Sequence, residues 1–304
     1  MMADSAHQDR DFSSISPSAK ALAMLKGVTQ IPFAFEAARL MALPEPYTPD
    51  YSLRDSTLWG RILHFEERYW SINNLLSGLG AKNILELSSG FSWRGLDAVL
   101  EGDVHYIDTD LPELIETKKH FVEQLAEGRG EIKGKLELLP LNALDENAFA
   151  AATAHFDAGE LVIVNEGLLV YLDTGEKRKL CSIIHQQLKQ RGGCWITGDI
   201  YVKRPEIERN TPDDELKRFF EQHNIEQNKF ENFEQAEAFF KDEGFVVERK
   251  AEVNYAQLTA LPYFLESVPP ELLAKFRDAG KIRESWQLRL AEWNSVKPTN
   301  SAES

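Results

Sequence analysis

Cysteine is scarce: Cys181 and Cys194 are the two in 304 residues. That excludes a disulfide framework and makes a reducing, cytoplasmic setting the expectation. Long apolar runs are also missing. Runs such as Leu161–Val164 are only a few residues long, far short of the roughly 20 a bilayer span needs. The polar opening Met1–Arg10 has no apolar signal core. No membrane partner is therefore expected. A basic surplus is absent too. Lys plus Arg number 34 against 49 Asp plus Glu, a net charge of −15. Such a surface repels phosphate backbones, so nucleic acid is not an expected partner. No His, Cys, Asp and Glu grouping has metal-ligand spacing, and no metal is expected. Fixed-period repeats are missing as well. What remains is ordinary globular composition, 43% hydrophobic and 27% charged, in a length that suits one large α/β domain with additions.

Polar residues 1–15 read as a mobile N-terminus, and residues 16–80 as an N-terminal helical cap. Ser16-Pro17-Ser18 opens a helix, with proline where its missing N–H costs nothing. Pro44, Pro46 and Pro49 interrupt the chain. Trp59–Leu79 then carries Ile62, Leu63, Phe65, Tyr69, Ile72, Leu75, Leu76 and Leu79 on one broad stripe, ending at Gly78 and Gly80. From Asn83 the period changes. Short apolar runs at 84–87, 104–107, 136–141, 161–165 and 194–198 alternate with helical stretches, including one over 174–190. That alternation predicts a doubly wound, mostly parallel α/β sheet covered on both faces. Residues 81–304 form this Rossmann-like domain, with a helical insertion over about 203–243. Helices are expected over 212–223 and 233–242, a strand over 245–253, and a strand or a last helix over 286–290.

In such a sheet, ligands sit beyond the carboxyl ends of the strands. Three tips carry unusual polar residues. Glu86-Leu87-Ser88-Ser89-Gly90 leads from the first strand into a helix, as a nucleotide loop would. A dinucleotide fingerprint would have glycine where Ser88 and Trp93 stand, so a ligand without phosphates fits better. Asp108-Thr109-Asp110 follows the second strand, and an acid there can hold ribose hydroxyls; a solvated helix-capping turn is the plain alternative. Asn165-Glu166-Gly167 follows the buried fourth strand. An acid there calls for a partner, which could be a cationic ligand, an arginine such as Arg61, or a cap.

These blocks resemble the leucine carboxyl methyltransferase-like proteins, which include O-methyltransferases of polyketide biosynthesis. The resemblance runs over about 16–201 and rests on three blocks. They are Ile84-Leu-Glu-Leu-Ser-Ser-Gly-Phe-Ser-Trp-Arg94, Tyr106-Ile-Asp-Thr-Asp-Leu-Pro-Glu113 with Lys118 after it, and Val164-Asn-Glu-Gly-Leu-Leu-Val-Tyr-Leu172. The order and spacing of the blocks match. The resemblance implies the class I methyltransferase form of the sheet and S-adenosyl-L-methionine as cofactor. By position it places Glu86, Ser88 and Gly90 near the methionine part, Asp110 on the ribose with Asp108 beside it, and Asn142 and Ala143 against the adenine. Arg61, in Trp59-Gly-Arg-Ile-Leu-His64, resembles the arginine that pairs with the cofactor carboxylate, and Lys20 is a looser candidate. Glu166 falls beside the amino and sulfonium end. The chain departs in having Ser-Ser-Gly where two closely spaced glycines are common.

The residues agree with that cofactor: its sulfonium and ammonium suit Glu166, and its carboxylate suits a Lys or Arg. The expected reaction is methyl transfer to a carboxylate or hydroxyl of a small-molecule acceptor, with a carboxylic acid or polyketide-like compound among the candidates and a protein carboxyl terminus as the lesser one. A carboxylate needs no base, whereas a phenol or alcohol does. Glu166, Tyr171 and Asp199 are the catalytic candidates, with His64 and Tyr201 as further possible bases. An NAD-type oxidoreductase and a catalytically silent cofactor-binding protein are the alternatives.

Overall fold

A computed structural model describes residues 16–204 and 215–291. The expected N-terminal segment 1–15 and residues 205–214, in the first part of the expected insertion, lie outside the described residues. Three helices precede the sheet: α1 (Ser16–Lys26), α2 (Ala34–Ala42) and α3 (Ser56–Leu76). Asp55 starts α3, its carboxylate accepting the amides of Thr57 and Leu58 at 2.9 and 3.1 Å. The helix begins and ends three residues earlier than its apolar stripe suggests. A capping carboxylate fixes the start, and the Gly78–Gly80 pair cannot continue the last turn.

The sheet has seven strands in the order β3-β2-β1-β4-β5-β7-β6. The strands are β1 (Asn83–Leu87), β2 (His105–Asp110), β3 (Lys135–Pro140), β4 (Leu161–Asn165), β5 (Gly193–Tyr201), β6 (Phe245–Lys250) and β7 (Arg283–Leu290). β1 through β5 run parallel, and β7 is antiparallel to both β5 and β6. The expected doubly wound, mostly parallel architecture is the one observed. The segment left open at 286–290 is strand and extends back to Arg283. β2 includes Asp108-Thr109-Asp110, so these acids end the strand and the alternative of a solvated capping turn does not hold. Those polar residues are buried there.

The connecting helices are α4 (Arg94–Glu101), α5 (Pro112–Ala126), α6 (Glu146–Thr153) and α7 (Thr174–Arg191), the last opened by a reciprocal Asp173–Glu176 capping box. Between β5 and β6 lie α8 (Glu215–Gln222), α9 (Ile225–Asn228) and α10 (Phe233–Asp242). Between β6 and β7 lie α11 (Leu261–Ser267) and α12 (Pro270–Ala279), neither of which was expected. One face of the sheet carries the larger core, with Leu85, Ile107, Ile163, Trp195 and Trp286 against Phe149, Leu180 and Phe240. On the other face Ile72 and Leu75 of α3 pack against Val162, Val164 and Ile196. α3 therefore belongs to the helical layer that covers the sheet, and it brings its polar edge to the strand tips. Among the described residues, no helix is long and apolar enough to cross a membrane.

Candidate active site

Strand order reverses between β1 and β4, so the chain leaves their carboxyl ends in opposite directions and opens a crevice. Over these tips lies a cleft of about 1610 Å³. Pockets for small ligands run to roughly 300–1,000 Å³, so there is room for two partners side by side.

The first loop turns sharply. Ser88 and Gly90 both adopt left-handed backbone, at φ 49° and 50°. Serine thus occupies a position that glycine takes without strain. The turn is held from β2 and α5. Ser89 donates its amide to the Thr109 carbonyl at 2.8 Å, and Lys118 Nζ donates to Ser89 Oγ at 2.9 Å. Gly90 donates its amide to Asp110 Oδ2 at 2.8 Å, while Asp110 Oδ1 accepts the Leu111 amide at 2.7 Å. Burial raises the Asp110 carboxyl above its ordinary pKa, against those two amides. Ser88, Gly90, Asp110, Asn142 and Ala143 all line the cleft, as does Arg61 from α3. The structure brings these six expected residues together.

Glu166 is the centre of charge. It accepts from Lys26 Nζ at 2.7 Å, Arg94 Nη2 at 2.7 Å and Arg68 Nη2 at 3.3 Å. Burial alone would raise its carboxyl; the Lys26, Arg68 and Arg94 charges outweigh that and hold it well below the usual range. Burial lowers the Lys26 ammonium, and the nearby Arg68 and Arg94 add to the effect, although Glu166 opposes it. Arg94 in turn reaches Glu86 at 2.5 Å and Asn73 at 2.7 Å, and stacks over the Tyr69 ring at 4.5 Å.

Four expected positions stand elsewhere. Glu86 lies inside β1, one residue short of its end, so its side chain meets helix α4 rather than the cleft. Arg94 and the Tyr106 hydroxyl satisfy it. Asp108 is likewise interior to β2 and pairs with Lys118 at 2.8 Å; burial pushes its carboxyl up to about 6 against that lysine. Of the two acids on one face of β2, only Asp110 is far enough along to reach the loop. Lys20 is exposed on α1 and lines nothing in the cleft; Lys26, at the end of the same helix, takes the cationic position. Asp199 is not placed as a base. Its oxygens accept from Asn165 Nδ2 and from the amides of Gly167, Leu168 and Leu169 at 2.6–3.1 Å. That carboxylate shapes the turn that presents Glu166.

Tyr171 stands on the following short turn, lines the cleft, and meets Phe219 and His223 edge-on. Buried Lys177 ties this wall together, donating to the carbonyls of Leu172 and Asn228 at 2.6 Å each. Opposite, Tyr201 Oη lies 2.7 Å from His64 Nε2 and accepts from Arg68 Nη1 at 3.2 Å. Burial, then Arg283, Arg68 and Lys229, hold the His64 imidazole well below its ordinary pKa.

Sequence reasoning missed Lys26, Arg68 and Arg94. A signal existed for one of them. Arg61, His64 and Arg68 recur at i, i+3 and i+7, a polar line down one face of α3.

No family model matches the chain, and no characterised protein sequence matches it. Solved structures that resemble it include a mitomycin 7-O-methyltransferase, 12% identical at a TM-score of 0.42, over 91% of this chain and 67% of that one. A magnesium protoporphyrin IX methyltransferase from Synechocystis, with bound S-adenosylhomocysteine, is 9% identical at a TM-score of 0.44, over 86% and 96%. The methyltransferase domain of a bacterial Hen1 is 11% identical at a TM-score of 0.48, over 75% and 98%. At these identities and scores no residue role and no activity carries over to this chain.

Proposed function

We propose that the chain is an S-adenosyl-L-methionine-dependent methyltransferase that methylates an oxygen of a small-molecule acceptor. One observation carries the reading: at the switch point of the sheet, Glu166 is held ionised between Lys26 and Arg68 in the same cleft as the Asp110–Gly90 turn. An amino-acid end needs a cation for its carboxylate and an anion for its ammonium, and both are there. The donor set is also unfinished. Arg68 Nε is buried without a partner, and its other contacts are long at 3.2 and 3.3 Å. An incoming carboxylate would complete that guanidinium. A phosphate cradle is lacking: at the start of α4 stands Trp93, packed against Phe91 and Phe121. This favours a nucleoside without phosphate over a dinucleotide.

In this reading Arg68 and Lys26 take the cofactor's carboxylate, Glu166 its cationic end, Asp110 its ribose, and Asn142 and Ala143 the adenine edge. The bound cofactor supplies a methyl group already activated on sulfur. The protein then has to align an oxygen with that methyl and keep water out, and orientation of this kind is worth about 7–11 kcal/mol. Tyr171, Leu63, Leu258 and Phe264 form apolar walls suited to that task. The proposed 16–80 cap shares α3 with the helical layer of the proposed 81–304 catalytic unit.

Titration calorimetry with S-adenosylhomocysteine tests it, and saturable binding is expected. NAD binding without S-adenosylhomocysteine binding would replace this reading by an oxidoreductase. Cofactor binding with no transfer of labelled methyl into any cell-extract component would leave a silent binding protein.

A further inference from the structure

We infer that the acceptor is a neutral hydroxyl compound on an apolar skeleton, and that Tyr201 and His64 together take its proton. This rests on the methyltransferase reading of the cleft and names its substrate class. The two rings lie side by side in the cleft wall, Tyr201 at the end of β5 and His64 on α3, with 2.7 Å between Oη and Nε2. Arg68 joins them to the methyl-donor side, because the same guanidinium touches both Tyr201 Oη and Glu166.

The hydrogen-bond roles follow from what each group can do. A guanidinium only donates, so it fills one lone pair of the phenol oxygen. The phenol proton then lies toward Nε2, which accepts it. The second lone pair of Oη remains for a hydroxyl in the cleft. Arg283 on β7, Arg68 on α3 and Lys229 beyond α9 face His64, with Glu166 the opposing charge, and burial acts with the cations to keep the ring unprotonated, so Nε2 accepts the phenol hydrogen bond and an imidazolium formed there gives up its proton readily.

The walls explain why the acceptor is neutral. Three of the cations around this half of the cleft already face carboxylates. Arg283 is 2.5 Å from Glu67, Lys229 pairs with Glu226, and Lys281 is 3.6 Å from Glu284. A carboxylate acceptor would add an uncompensated charge beside Leu63, Leu258 and Phe264. Neither carboxylate nearest the tips suits a base: three cations hold Glu166 ionised well below the usual range, and the loop amides hold Asp199. The tyrosine–histidine pair, joined through Arg68 to the methyl-donor side, is the base assigned here.

The step balances as follows. The acceptor oxygen forms a bond to the methyl carbon, and the carbon–sulfur bond of the sulfonium donor breaks with its electron pair returning to sulfur. The acceptor's proton passes to Tyr201 Oη as the tyrosine proton passes to His64 Nε2, and the imidazolium later releases it to solvent.

The test uses the full chain with methyl-labelled S-adenosylmethionine and a cell extract, alongside calorimetry with S-adenosylhomocysteine. The expected label is an ether, stable to mild alkali, and His64→Gln and Tyr201→Phe each lower transfer at least 100-fold while the Kd for S-adenosylhomocysteine stays within twofold. In imidazole NMR titrations His64 is expected to stay neutral at pH 6, and its resonance to shift in Tyr201→Phe. Label released by alkali as methanol would mean an ester, and the proposal fails. It fails equally if either variant transfers at the wild-type rate, or if the cofactor binds and no label moves. Should wild-type bind no S-adenosylhomocysteine, the reading of the cleft itself falls, and this one with it.

Discussion

The carboxylate of Asp110, at the tip of β2, holds the amide of Gly90, at the turn after β1, at 2.8 Å. Twenty residues of chain separate them, so the contact sets the loop's shape by closing two strand ends onto each other. Asp110→Ala is expected to leave that amide without its acceptor and to weaken S-adenosylhomocysteine binding by about 1.5–3 kcal/mol. Asp110→Asn keeps one acceptor and should fall between. Calorimetry on the folded variants checks both, and an unchanged Kd would move the ribose elsewhere.

What sequence reading could and could not see follows from how far apart the partners lie. The five parallel strands were legible because each is a short apolar run bounded by turn residues. β7 was legible only over 286–290, and there as strand or helix, since it begins Arg283-Glu284 and its burial comes from lying between β5 and β6. The acids at the tips were visible, but not which of them reaches the cleft. Asp108 and Asp110 differ only in depth along β2, and that depth is fixed by pairing with β3. The cations were harder still. Lys26, Arg68 and Arg94 sit on three helices and meet at a glutamate 140, 98 and 72 residues away, a convergence that no local pattern encodes.

Gly167 follows Glu166 in left-handed backbone, at φ 86°, and a Cβ there would lie 3.4 Å from Arg68 Nη2. Gly167→Ala should cost about 1–2 kcal/mol of backbone strain and press on the guanidinium assigned to the cofactor carboxylate. A lower melting temperature together with a several-fold weaker Kd for S-adenosylhomocysteine is expected. Strain with no change in Kd would mean that Arg68 does not hold the ligand.

His64 predicts a pH dependence of stability. Burial and the surrounding Arg283, Arg68 and Lys229 keep the folded ring neutral well below the ordinary range, whereas the unfolded imidazole takes a proton near about 6.5. The unfolded state therefore binds more protons as pH falls below that value. This contribution to stability is complete above about 6.5 and is lost on acidification. Denaturant unfolding at pH 5 and pH 7 should show a larger difference for wild-type than for His64→Gln. Equal differences would place the titrating group elsewhere.

The buried charges around Glu166 differ in how much each matters. Glu166→Gln leaves Lys26, Arg68 and Arg94 facing one another with Glu86 on Arg94 and the more distant Asp199 charge near Arg68 in compensation, and the loss of a buried partner of this kind costs about 3–5 kcal/mol. Lys26→Met should cost less. It removes the cation that burial already disfavours, and it leaves Glu166 with both arginines. If the 2.7 Å contact carries real coupling, the double variant Lys26→Met with Glu166→Gln will be more stable than the sum of the two losses, by about 0.5–3 kcal/mol. Urea unfolding of the four proteins completes the cycle. Strict additivity would mean that Lys26 is held in place by the packing of α1 and that the two arginines alone keep Glu166 ionised.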